Sequence, residues 1–438
     1  MKIYQLVLVL GVCLFAFSCK KSKDETTDTT DLFELPYNKA SVENNKAFLE
    51  KEGRDFIKKI ENVPDLQAVT VLEALGDLNT PDINYEARQM LNISRKSKKV
   101  GAVLKAVAEI NKPSKRQKGL NELYGIFTYN SSTKEWDKAA SSDRLSFIFP
   151  SAKNGTVNDA NLTLTYKSSG IQATSANGED TYELPSEISG DLKVGSATVL
   201  TLSSTHAYYS DGLPKTTDTK ITMDEYSFSN VFKNENNIVD EVLSIKKADA
   251  QIFEFAVNSN NKNFNLQQLQ DAEEVNDILS SANSLITIGN IKIAMWADID
   301  QYVANRQDIE YPDWYDYFGN VEYDTPAYFA AEKQYYQAQD TANVRDARNE
   351  AEVMQKYTKA VVVNTQTSEI ISSLEYAVKY GEEYCLPLSD GSEYCELDPY
   401  VDAILVFGDG SKIDFETFSD SGFEELKADY EDFTDKFK

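Results

Sequence analysis

The strongest constraint on how this chain folds is a change in the period of its apolar residues. From Tyr124 onward they recur every second position, in LSFIFP, LTLTYKSS, DLKV, ATVLTLSSTHAYY, TKITMDEYSFSNVF and QIFEFAVN. Period two marks strands, whose successive side chains point to opposite faces. Leu162, Leu164 and Tyr166 alternate with Thr163 and Thr165, which predicts one buried face and one wetter face. Asn154-Gly155 and Asp211-Gly212 punctuate the run, and strands linked by short turns pair antiparallel. The expectation is a large antiparallel meander.

The flanks have a different period. From Ser41, Phe48, Phe56, Ile57 and Ile60 fall near one helical stripe. Pro64 opens a second helix that Gly76-Asp77 ends, a third covers Tyr85 to Ile93, and Val100, Val103, Leu104, Val107 and Ile110 mark a fourth. Phe264 to Ile286 reads as a helix, Asn290 to Trp296 as one more strand, and residues 300–357 as a helical segment rich in tyrosine and aspartate. Strand and turn signals mix from Val361 to Tyr380. Two hairpins follow, EYCLPLSDGSEYCEL and VDAILVFGDGSKIDFETF, and then an acidic amphipathic helix, FEELKADYEDFTDKF. The fold class is α+β: a helical N-terminal segment (37–123), an antiparallel sheet (124–299), a Tyr/Asp-rich helical segment (300–357), and C-terminal strands, hairpins and helix (358–438).

The N-terminus sets the address. In MKIYQLVLVLGVCLFAFSCKKSKDETTDTTD, Lys2 precedes an apolar run, Leu6 to Phe17, that is too short for a membrane span of about 20 residues. Residues 1–18 therefore read as a secretory signal. The run ends Ala16-Phe17-Ser18-Cys19, which resembles the lipobox of bacterial lipoproteins in the relaxed form found in Bacteroidota. That resemblance implies that Cys19 becomes the first mature residue and carries the lipid, with more than one acyl chain (palmitate among them) needed for stable anchoring. Residues 19–36 read as a flexible tether, because residues 20–36 hold no apolar residue until Leu32. Lys23-Asp24-Glu25 resembles a surface-export signal, although Lys20 and Lys21 intervene. The expected location is the outer membrane, at the cell surface rather than the periplasmic leaflet.

Cys385 and Cys395 flank the turn Ser389-Asp390-Gly391-Ser392. In an exported chain an even pair this close reads as a disulfide. The formal net charge of −27 argues against nucleic acid, whose phosphates require a basic face. A basic stretch, 95–119, departs from this background. It reads as an amphipathic helix balancing the acidic remainder, with contact to anionic headgroups as the functional alternative.

Chemistry-bearing patterns are sparse. GDGSKIDFETF lacks ligands at the key positions of an EF-hand loop and reads as a hairpin turn on Asp409-Gly410. His206 is the single histidine, so no histidine metal cluster is expected, and no G-x-S-x-G elbow places a nucleophile beside it. A structural or solvent-facing role is expected for it. No catalytic residue, metal ligand or cofactor is assigned, and the chain is expected not to be an enzyme. Trp314, Tyr315 and Tyr317 lie among aspartates, the mixture that serves sugar binding through ring stacking and hydroxyl acceptance, and also ordinary packing. They are the candidate ligand-binding aromatics, for a glycan, peptide or protein partner. Asp28-Thr29-Thr30 and Asp340-Thr341-Ala342 match the short O-glycosylation pattern of Bacteroidota.

Taken with ELYGIFTYN, EWDKAASSDRLSFIFP, YELPSEISGDLKVGSATVLTLSSTHAYYSDGLP and the closing FGDGSKIDFETF, this order of segments resembles a family of uncharacterised Bacteroidota outer-membrane lipoproteins. The resemblance implies an address and no activity. The function expected is that of a lipid-anchored envelope protein with a non-enzymatic binding or structural role. The alternatives are a lipid or lipoprotein carrier, with an open apolar cavity under a curved sheet, and a glycan-binding or glycan-processing surface protein.

Overall fold

The computed structural model describes residues 29–78, 124–174, 181–382 and 384–436. The signal, Cys19, the third and fourth expected helices and the basic stretch lie outside the described residues.

The architecture is α+β, built on one open sheet of sixteen strands. Its strands are β1 (Gly125–Asn130), β2 (Glu135–Ala139), β3 (Leu145–Phe149), β4 (Ala160–Thr174), β5 (Thr181–Val194), β6 (Ala197–Tyr208), β7 (Pro214–Met223), β8 (Tyr226–Glu235), β9 (Ile238–Lys247), β10 (Ala250–Asn261), β11 (Leu279–Ile288), β12 (Ile291–Asp298), β13 (Thr358–Asn364), β14 (Glu369–Tyr380), β17 (Pro399–Phe407) and β18 (Lys412–Asp414). From β3 to β14, neighbours in sequence are neighbours in space. The expected meander is therefore present, with one departure: β1 pairs parallel with β3. The β1–β2 hairpin places β2 outermost, and the chain returns across β1 to start β3 in the same direction. Glu135, Asp137 and Lys138 are exposed along β2, and such charges protect a sheet edge from further pairing.

Register shows why one face is apolar. Partners across an antiparallel ladder share a face, so Leu164, Leu202, Ile221, Phe228 and Ile245 join Phe127 and Phe147 in one buried layer. Helix α1 (Val42–Ile60) and helix α2 (Gln67–Gly76) cover this layer. Ser41 caps α1 by accepting from the Asn44 amide, and Lys58 and Lys59 occupy its last turn, where a positive charge meets the helix dipole favourably. Tyr226, fully buried, donates from its hydroxyl to the Lys59 carbonyl at 2.8 Å and ties the end of α1 to β8.

Three sequence expectations are corrected, the third at the C-terminal hairpin below. The helix expected over Phe264–Ile286 is confined to α3 (Leu266–Asp271), opened by an Asn265 capping box and followed by a 3-10 turn at Val275–Asp277. Residues 279–288 are instead β11, hydrogen-bonded on both sides, to β10 and β12. Ladder bonds on two edges and the β-branched Ile286, Thr287 and Ile288 outweigh the local helical spacing. Similarly, part of the segment read as tether belongs to the fold. Thr29 is 1% exposed, and Leu32, Phe33 and Leu35 pack on Ala294, Val361, Val363 and Ile370, on the sheet face opposite α1. Tyr37 bridges to Ile370, and the chain then crosses over Gly408, where a Cβ would lie 2.0 Å from the Asn38 carbonyl oxygen.

After β12 come α4 (Ile299–Asn305), α5 (Trp314–Phe318) and the long α6 (Pro326–Tyr357). Ala351 and Met354 of α6 pack on Tyr376, Val378 and Val401. The C-terminal part holds α7 (Phe415–Asp420) and α8 (Glu424–Asp435). FETF, read as the second arm of a hairpin, is the start of α7, capped by Asp414. Glu50 of α1 accepts from the Glu425 and Leu426 amides at 3.0 and 3.2 Å, and Arg54 pairs with Asp429 at 2.7 Å.

Candidate functional site

The cysteine hairpin, β15 (Tyr384–Pro387) and β16 (Glu393–Glu396), forms its own two-stranded sheet. Cys385 and Cys395 are register partners, and their sulfurs are 2.00 Å apart, a disulfide. Asp390 accepts from the Ser392 amide and hydroxyl at 2.9 and 2.6 Å, with Gly391 at φ +82°. Asp409, Gly410 and Ser411 repeat this turn between β17 and β18, with Asp409 accepting at 2.9 and 2.6 Å. Asp-Gly-Ser is thus a turn device at both places.

Two buried carboxylates of α6 fasten the disulfide hairpin. Glu332 accepts from the Ser389 amide and hydroxyl at 2.8 and 2.9 Å. Asp340 accepts from the Tyr394 hydroxyl at 2.6 Å and from the Leu397 amide at 3.2 Å. Tyr336 stacks on Tyr394, with ring centroids 5.7 Å apart. Burial and the facing Asp340 carboxylate push the Tyr394 hydroxyl up, so it stays a neutral donor. The chain leaving this clamp forms one wall of a cleft of about 250 Å3.

Asp398 and Tyr400 line that wall, and Asn343, Asp346 and Glu350 of α6 line the other, with Tyr311 also in the lining. Asn343, Asp346, Ala347 and Glu350 meet the cleft because positions three and four apart share a helix face. Arg306 follows α4 and sits 3.7 Å from both Asp346 and Glu350. Burial pulls its pKa down, but Glu350, Tyr302 and Asp346 outweigh that and hold the guanidinium above its usual value. The Gln307 amide donates to Asn349 at 2.9 Å, so the extended segment before α5 is fixed to α6 at two successive residues. The Tyr311 hydroxyl donates to Asp346 at 3.5 Å, and burial with that nearby charge raises its pKa. Gly381 underlies Asp398: its amide donates to the Asp398 carbonyl at 2.8 Å, and a Cβ there would meet Asp398 Oδ2 at 2.6 Å.

The cleft therefore offers two tyrosine rings, an amide and three carboxylates beside one guanidinium. It suits a small hydroxyl-rich group, with rings for C–H faces and acids as hydroxyl acceptors. Among the described residues, no three acidic, histidine or cysteine side chains are arranged to hold a metal ion.

The sequence-derived aromatics are not among the residues that line the cleft. Trp314 stacks on Phe318 at 3.7 Å between centroids and meets the edge of Tyr335 at 5.2 Å, yet it stays 43% exposed. Tyr315 is 79% exposed, and Tyr317 packs edge-on against Tyr335. Asp346, Glu350, Asp398 and Tyr400 were not picked out as ligand-binding residues in the sequence. Only the three- and four-residue spacing of Asn343, Asp346 and Glu350 on a helix signals a shared face.

His206 lies on the helix-covered face of β6. Its Nε2 is 2.9 Å from Ser204 Oγ, which is 2.6 Å from Thr219 Oγ1. Burial lowers its pKa to about 4, so the imidazole is neutral. Ser204 is buried, which closes this pair off from substrate and gives His206 a structural place. Of the two glycosylation patterns, Thr29 is buried, its hydroxyl donating to Asn283 at 3.2 Å, whereas Thr341 is exposed on α6. Among the described residues, no helix is long and apolar enough to cross a membrane. No protein-family model matches the chain, and no curated protein or solved structure matches it.

Proposed function

We propose that this is a lipid-anchored envelope protein that binds a hydroxyl-rich ligand, a neutral glycan, without transforming it. The observation that carries this reading is the cleft between α6 and β17, where Tyr311 and Tyr400 share walls with Asp346, Glu350 and Asp398. Its polar lining favours a sugar over an acyl chain, so the carrier alternative draws no support from it. Three carboxylates against one arginine disfavour anionic ligands through like-charge repulsion. The address rests on the lipobox-like ending at Cys19 and on the resemblance to Bacteroidota outer-membrane lipoproteins, with the cell surface preferred. Because Thr29 is buried against the sheet, at most ten peptide units separate it from the anchor, a reach of roughly 35 Å. The body is then held close to the membrane.

Calorimetric titration of the full chain with neutral monosaccharides and polysaccharides tests the reading. Wild type should bind, and Asp346→Ala and Tyr400→Ala should each weaken binding about tenfold or more. Equal affinity in all three proteins would sink it.

A further inference from the structure

Building on the glycan reading of the cleft, we infer that the ligand is a linear neutral oligosaccharide running from the cleft along α6 to a second stacking site on Trp314 and Tyr315. Three observations carry this. First, Tyr335 and Asp346 are eleven positions apart on α6, three full turns, so they share a face about 16 Å apart along the axis. Trp314 packs on Tyr335, and Asp346 lines the cleft, so the plate and the cleft lie along the same side of α6. A separation of that size spans a few pyranose rings, not one. Second, Tyr311 and Trp314 are only three residues apart, which limits their Cα separation to about 11 Å and keeps the plate close to a residue that lines the cleft. Third, the plate is already formed. Phe318, 8% exposed, backs Trp314 in a parallel stack, and the Tyr335 edge fixes its tilt, while the Trp314 side chain keeps open surface. Little side-chain freedom remains to be lost when a ring lands on it.

Charge selects the class of chain. The cleft carries a surplus of carboxylates over Arg306, and Asp313 and Asp316 flank Trp314 and Tyr315. Uronic acids and phosphorylated sugars would meet like charge at both sites, whereas neutral rings would meet aromatic faces and hydroxyl acceptors.

The test is a length series. The full chain is titrated with neutral linear oligosaccharides of one to six rings, in gluco, manno, xylo and N-acetylglucosamine configurations. In the series that binds, affinity should rise about tenfold between one and four rings, the contribution of one aromatic stack. Trp314→Ala should abolish that gain and leave monosaccharide affinity unchanged, and Trp314→Phe should restore part of it. Tyr315→Ala, at an exposed position, should reduce the gain without affecting folding, which covers the case of a Trp314 variant that fails to fold. Monosaccharide binding with no gain in longer chains, or a gain unchanged in both variants, would overturn this inference while leaving the cleft reading intact. No binding by any neutral series would overturn both.

Discussion

Glu52, on α1, holds the turn between β11 and β12 through Asn290: its Oε2 accepts from the Asn290 amide at 3.0 Å, and its carboxylate accepts from the Asn290 side chain at 3.1 Å. The carboxylate is 3% exposed, and Gly289 leaves room for it, since a Cβ there would stand 2.6 Å from Glu52 Oε2. A charged acceptor on the first helix thus fixes the middle of the sheet 238 residues away.

Glu52→Ala should destabilise the protein by about 2 kcal/mol, because it leaves a buried amide donor without its acceptor. Burial raises the carboxyl pKa, but the Asn290 bonds and Lys51 outweigh it and hold it below the usual value. A depressed folded pKa gives stability that is present above the unfolded value near 4.5 and is lost as pH falls through the folded one. Urea titrations at pH 7 and pH 3 should therefore show a large difference between wild type and variant at pH 7 and a smaller one at pH 3. A difference independent of pH would refute the assignment.

Glu241 behaves in the opposite way. It is 6% exposed, and burial pushes its pKa up to about 8 despite a 3.1 Å bond from Asn230 Nδ2. The folded protein keeps it protonated where the unfolded chain ionises it, so stability falls as pH rises from about 4.5 toward 8. Glu241→Gln should raise stability at pH 7 by at most about 3 kcal/mol, with the gain vanishing below pH 4. Denaturation midpoints across that range check it; a variant less stable at pH 7 would contradict it.

The disulfide hairpin should loosen locally without global unfolding. Closing so short a loop contributes at most about 3 kcal/mol, and replacing both Cys385 and Cys395 with alanine leaves Glu332 and Asp340 still holding Ser389, Tyr394 and Leu397. Hydrogen exchange should speed up at the Leu397 and Gly381 amides and stay unchanged in β4 to β8. Non-reducing mass spectrometry of wild type should find the peptide pair joined, and two free thiols would refute the bond.

Cys19→Ala should move the protein from the membrane to the soluble fraction. Lipid attached at that thiol is what the proposed anchor requires, and one alanine removes the acceptor. Equal membrane association of wild type and variant in fractionated cells would reject the anchor.

What was legible in the sequence was local. Alternation at Leu162, Leu164 and Tyr166 identified strands because a strand's period is written in its own residues. Asp390-Gly391 and Asp409-Gly410 identified turns because the aspartate side chain and the positive φ of glycine close the turn within four residues. The spacing of Cys385 and Cys395 around one such turn pointed to a bond for the same reason. What only the tertiary structure decided was every assignment made by a partner far along the chain. Residues 279–288 are a strand because β10 and β12 satisfy both edges. Thr29 to Leu35 are part of the body because Val361, Val363 and Ile370 offer an apolar surface that no local pattern announces. Among many acids, Glu52 and Asp340 acquire separate tasks only where Asn290 and Leu397 meet them. A carboxylate's role is set by its burial and its donors, and in this fold the backbone amides that hold Asp340 and Glu52 come from 57 and 238 residues away.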